Sequence, residues 1–561
     1  MRPRIQMAAA LAFACAAGKS SETPTSSVAR VPAEQRALPD VVVLDGLGTH
    51  RRPVTGASSE AQRWFDQGLN VVYAFNHDEA IRAFTQAAAL SPGCAMAWWG
   101  IAYANGPHIN NSQLDAEHGQ AAWAALQRAQ AASANATPIE QGLIAALSKR
   151  YANPPPADRA PLDAAYAEAM RALQARFPKD ADVVALSAEA QMDVHPWDYW
   201  NADGTPQPWT PEILRTLESG LAADPRHPML NHLYIHAVEA SPHPARATRA
   251  AEVLLDLQPG LGHMVHMPSH IFVRTGRWAD AIDSNRRAIA ADAAYRKKVP
   301  RQGFYNIYMA HNRHMLAYGA MMSGQSALAL QAANDLVAGI PPDFRAAMTA
   351  AVDLYYAMPL EVLMRFGRWE EILAAPDFAP DLPGARALRH AARAVAYSAR
   401  GEVQKAKEEQ ALFAQARTRV APDATYGNNS VSAVLDVARE MVAGEVLFRE
   451  CQAEEGLAAL RKAVTLEDAL RYDEPPDWIN PVRHALGAAL AQSGRLAEAE
   501  AVFREDLRRV PGNGWSLYGL ARALELQKNE AEARLFHEEF RAVWKEADVQ
   551  IRSACFCQQG V

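Results

Sequence analysis

Seven histidines in three short runs are the residues of this sequence best placed to do chemistry. They are His232 and His236 in Asn231-His-Leu-Tyr-Ile-His236, His263, His266 and His270 in His263-Met-Val-His-Met-Pro-Ser-His270, and His311 and His314 in His311-Asn-Arg-His314. The spacings are three and four residues, so on a helix each run stacks its imidazoles on one face, a turn apart. Neutral imidazole is the commonest protein ligand for zinc, copper, iron and nickel. Three such faces brought together would chelate a transition metal. Imidazoles crowded without an ion would repel when protonated and lack acceptors when neutral, and a cation removes that conflict.

The elements that must position them are helices. Alanine runs through nearly every segment of the 561 residues while β-branched residues are sparse, which favours close-packed helices over sheet. A period is visible: Trp64-Phe-Asp-Gln-Gly68 followed by Asp78-Glu-Ala-Ile-Arg-Ala-Phe84, Ala87 and Pro92 fits a helical hairpin repeated about every 34 residues. Later units carry Gly276, Ala281 and Ala288; Gly324 and Ala329; Gly487, Gly494, Ala499 and Phe503. On these residues the chain resembles the tetratricopeptide repeat family, in particular an exported bacterial member of it. The resemblance implies an all-α solenoid, a right-handed superhelix of helical hairpins whose small residues let helices approach and whose first helices line a concave groove. It also implies that positions 2, 5 and 9 of each first helix face that groove. With Gly276 and Gly324 at position 15, and the preceding unit set by Ala247 and Pro259, seven of the nine such slots in three adjacent units are histidine.

No Asp or Glu holds one of those slots, which argues against calcium or magnesium. Met229, Met264, Met267, Met309 and Met315 lie on or beside the same helices and favour copper over zinc or iron. Tyr318 completes the slot pattern as a phenolate ligand, proton donor or redox partner. Glu239, one turn after His236, would orient an imidazole, with a surface salt bridge as the alternative. Glu189 would border the same groove, and His484 would make an isolated polar contact unless the superhelix closes on itself. The aromatic loop His195-Pro-Trp-Asp-Tyr-Trp-Asn-Ala-Asp-Gly204 would roof the groove or plug a gap beneath it, and Trp478 would cap the groove or wedge between repeats.

The chain divides into six segments. Residues 1–15, with Arg2, Arg4 and the apolar run Met7 to Ala14, have the layout of an export signal ending at Cys15, which resembles a lipoprotein cleavage box. Residues 16–58 are expected to be a flexible tether, 59–225 repeats with insertions, 226–340 the histidine-rich repeats, 341–545 further repeats and 546–561 a frayed tail. Periplasm or cell envelope follows, lipid-anchored through Cys15, with secretion as the alternative. The five cysteines suggest no disulfide framework, though Cys555 and Cys557 at the tail could bind a soft metal or bridge.

Net charge is −7 with Lys and Arg scattered among acids, which excludes a nucleic-acid backbone as partner. No nucleophile triad, phosphate loop or dinucleotide fingerprint is present. Two functions are therefore expected. One is a histidine-bound transition metal, copper first, serving as a metal-dependent oxidoreductase or hydrolase or in metal handling. The other is a non-enzymatic scaffold holding a peptide or protein partner along the concave face.

Overall fold

Helical hairpins follow one another through the whole computed structural model, which describes residues 41–558. The export signal expected over 1–15, with Cys15, lies outside those residues. The first hairpin pairs Ser59–Tyr73 with His77–Leu90, and the last pairs Gly514–Leu526 with Glu530–Val543. Among the described residues the sole strands form a two-residue ribbon, Thr425–Tyr426 against Asn429–Ser430. The fold is an all-α solenoid of helical hairpins. No helix among the described residues is long and apolar enough to cross a membrane.

Small residues set the helix spacing. The Phe84 ring wedges between Gly68 and Gly100, where an added Cβ would come within 2.7 and 2.5 Å of it, and Phe503 does the same between Gly487 and Gly519 at 2.5 and 2.4 Å. Two residues after several of the first helices the chain turns through the left-handed region; Gly276 and Gly324 occupy that point at φ 73° and 76°, where glycine avoids the Cβ clash. The first hairpin puts Phe75 there instead, at φ 57°.

The array winds back on itself rather than leaving an open groove. Gln258 donates to Asn70 Oδ1 at 2.6 Å, tying the fifth hairpin to the first, and Arg274 reaches the Arg509 carbonyl at 2.8 Å. Trp515 Nε1 donates to the Met321 carbonyl at 2.8 Å. Two expected flexible segments are instead built in. Of the tether, 41–58 is strapped across the early hairpins: Gln67 holds Val42 O and Leu44 N, Arg52 pairs with Asp180 and Asp182, and Thr55 is held by Glu140. The tail is seated too. Phe556 packs on Gly367 and Trp515, Arg365 and Arg449 donate to the Ala554 and Cys557 carbonyls, and Cys555 is disulfide-bonded to Cys557. Apolar and hydrogen-bonding groups in these stretches are satisfied by the closed winding, which their local composition does not reveal.

Candidate metal centre

Three consecutive hairpins deliver the histidines: His232 and His236 from Pro228–Glu239, His263, His266 and His270 from a first helix split at Pro268 into Gly262–His266 and Pro268–Arg274, and His311 from Asn306–Met322. Proline has no N–H to continue the helical ladder, hence the split. Six of the seven histidines gather into two trios. In each, one ligand atom per residue lies within 4.8 Å of the others: His232, His236 and His263 form one trio; His266, His270 and His311 the other.

In the first trio His232 Nδ1–H donates to the Tyr73 carbonyl at 2.8 Å, and His236 Nδ1–H donates to Glu239 Oε1 at 2.7 Å. A carbonyl or carboxylate oxygen can only accept, so each neutral ring keeps its Nε2 lone pair free. His232 Nε2 and His263 Nε2 stand 3.2 Å apart, and His236 Nε2 is buried with no hydrogen-bond partner. Metal–nitrogen bonds of ~2.0–2.1 Å place tetrahedral ligand atoms about 3.3 Å apart, so the spacing fits an ion.

The second trio repeats the device. His270 Nδ1–H donates to Glu239 Oε2 at 2.5 Å, and His266 Nδ1–H donates to Asn285 Oδ1 at 2.7 Å. The Asn285 amide is oriented by its own Nδ2, which donates to the Ala281 carbonyl at 2.8 Å. His266 Nε2 and His270 Nε2 are 2.8 Å apart. Two lone pairs facing at that distance need a positive centre between them, a proton or a metal ion. Partners that fix a ligating imidazole through its other nitrogen are the usual support of a metal site.

Burial sets the charge state. His232, His236, His263, His266 and His270 are 0–3% exposed. Burial holds the imidazoles of His232, His263, His266 and His311 well below their usual range and lowers His236, so these rings are neutral. His270 moves the other way: burial lowers it, but the Glu239 charge and hydrogen bond outweigh that. Burial alone would raise Glu239; His270 and His236 instead hold it down at about 2, so it is a carboxylate.

Aromatic rings wall the first trio. Phe75 lies 4.4 Å from His232, 5.6 Å from His263 and, stacked at 6°, 6.2 Å from His236. Tyr308 lies 4.4 Å from His263. The 195–204 loop is a roof here, with Trp197 set edge-on to His236 at 5.1 Å and Trp200 hydrogen-bonded to the Ala237 carbonyl. From the far end of the array Tyr472 closes over Glu239, its hydroxyl 3.3 Å from Oε2. Trp478, six residues on, is buried in the second apolar cluster as a wedge.

Three expected residues stand elsewhere. His314 turns from the trios and packs against Tyr355 and Tyr426, at 5.4 and 6.4 Å, because those rings fill its side of the helix. Tyr318 is buried edge-on to Trp278 at 5.6 Å. Glu189 is hydrogen-bonded to Tyr103 in the second hairpin, where burial pushes it up to about 8. Glu239 holds its expected orienting role, as a buried bridge rather than a surface ion pair. His484 makes its polar contact inside the closed winding, to Asp506 at 2.9 Å and Arg365 at 2.7 Å. A peptide cannot reach imidazoles buried this deeply, so the histidines are not a peptide-lined groove.

Phe75, Asn285 and the Tyr73 carbonyl were not singled out from sequence. Asn285 had a signal: it is a polar residue on the buried Ala281–Ala288 stripe of its helix. Two other groupings are not comparable sites. In the group of His50, Asp182 and His227, Asp182 already accepts from the Arg52 guanidinium at 2.8 Å through Oδ2 and holds both imidazoles through Oδ1. The disulfide removes the Cys555 and Cys557 thiolates from the group they form with Glu445.

No family model and no curated protein matches the chain. Similar solved structures include the APC/C hetero-tetramer Cut9–Hcn1, at 12% identity over 87% of this chain and 74% of that one with TM-score 0.32. Human IFIT1 dimer with PPP-AAAA is another, at 11% identity over 85% and 89% with TM-score 0.34.

Proposed function

We propose that this helical-repeat protein binds transition metal ions in its two histidine trios, with copper ahead of zinc or iron. The observation that carries the reading is the orientation of the rings: His232, His236, His266 and His270 each commit Nδ1–H to a fixed oxygen and leave Nε2 for an ion. Every ligand atom in the trios is an imidazole nitrogen. That set suits copper and zinc better than iron sites, which recruit a carboxylate, and the affinity order places Cu²⁺ above Zn²⁺. In the same reading the chain is exported and meets its metal in the cell envelope; the support for that part is the Arg2, Arg4 and Met7 to Ala14 pattern alone.

Elemental analysis of full-length protein purified without an affinity tag tests it. Near-stoichiometric copper is expected, falling when His266 and His270 are both changed to Ala while the helical circular dichroism is kept. Metal absent from the wild-type protein, or unchanged in the folded double variant, overturns the reading.

A further inference from the structure

Resting on that metal reading, we infer that the two trios form one paired-ion centre: two copper ions that share a single small ligand, of the size of dioxygen, between them. The trios are not separate sites. Rings pack side by side across the boundary, with centroids 5.7 Å apart for His236 and His270 and 5.9 Å apart for His263 and His266. One carboxylate, Glu239, serves His236 with one oxygen and His270 with the other. Paired metals that share a ligand stand about 3.5–4 Å apart, and the pairing requires the two ions to lie at that separation.

Three nitrogens per ion leave coordination open, since a closed site takes four ligands. Among the described residues no fourth His, Cys, Asp or Glu joins either group. The open positions are where an outside ligand binds. Its size is limited by the surroundings: the rings of five of the six histidines are almost fully buried, and Phe75, Tyr308 and Trp197 close around the first trio. His311 is the one ligand of the six that is partly exposed, so the second trio lies nearest solvent.

With both ions as Cu(I), dioxygen is the ligand this geometry selects. One electron passes from each ion to O2, which becomes peroxide; the O–O bond order falls from two to one and both ions end as Cu(II). No proton, further reductant or leaving group is required.

The test loads full-length protein anaerobically with Cu(I) alone, counts copper per chain, then admits dioxygen and records the electron paramagnetic resonance signal. Two coppers per chain are expected, with a signal far below the copper content because paired Cu(II) spins cancel. His311→Ala, at the partly exposed edge, should bind one copper whose oxidised signal matches its content, and His232→Ala should do the same from the other trio. One copper in wild type, or two that each give full signal after oxidation, overturns the pairing while leaving metal binding intact. Two coppers unchanged by dioxygen overturn the choice of ligand. No copper at all overturns the metal reading itself.

Discussion

Glu239 and His270 are joined by a 2.5 Å hydrogen bond, and the other oxygen of the same carboxylate holds His236 in the neighbouring trio. One side chain therefore sets the ring orientation on both sides. Glu239→Gln leaves one oxygen to accept and turns the other position into a donor facing an imidazole N–H. Loss of such a supporting partner typically costs ~10–100-fold in metal affinity. The expectation is a loss of that size at the trio facing the new amide NH2 in Glu239→Gln and at both trios in Glu239→Ala, measured by competition with a chelator of known affinity; a Glu239→Ala loss confined to one trio would contradict the sharing.

His314 and Tyr318 make the complementary prediction. Both occupy repeat slots equivalent to those of trio members, yet His314 packs on Tyr355 and Tyr426 and Tyr318 on Trp278. His314→Gln and Tyr318→Phe should leave metal content unchanged within measurement error. A drop in either would show that the ring reaches the centre in the loaded protein.

That contrast marks how far the sequence could be read. The hairpin order was legible because each unit repeats its small residues, and six histidines were legible because positions 2, 5 and 9 of a first helix share a face. His314 misled because its slot is the same but its neighbours are not: Tyr355 comes from the Leu354–Ala357 turn and Tyr426 from the ribbon, neither of which follows the repeat period. Burial was also illegible. The groove slots are exposed in a single hairpin, and only the closure of the first hairpin on the fifth and of Tyr472 on Glu239 buries them. Asn285 sits on a second helix, outside the slots altogether.

A pH prediction comes from Glu361, whose carboxyl burial raises to about 8. An unfolded glutamate titrates near 4.3. The folded chain thus holds the proton more tightly; this stabilisation is complete below about pH 4 and is lost as pH rises through 8. Glu361→Gln keeps the shape and has no charge to bury. The variant should gain at least ~1 kcal/mol over wild type between pH 5 and pH 8, since each pKa unit is worth about 1.4 kcal/mol. Denaturant midpoints at the two pH values give the difference directly; an equal offset at both would refute it.

Phe75 stands at a turn where Gly276 and Gly324 serve in later hairpins, in a left-handed conformation that a side chain bears at a cost of roughly 1–2 kcal/mol. The ring explains why that cost is tolerated, because it covers His232, His236 and His263 from one side. Phe75→Gly separates the two effects. It relieves the backbone but removes a buried ring, and deletion of a buried phenylalanine typically costs ~3–5 kcal/mol. The difference predicts a net loss of about 1–4 kcal/mol in denaturant unfolding. Kinetics should move more than content: with the first trio uncovered, a chelator should strip metal faster from the variant than from wild type under conditions where both remain folded. Equal stripping rates would mean that the ring only fills space, and that metal enters and leaves from the His311 side alone.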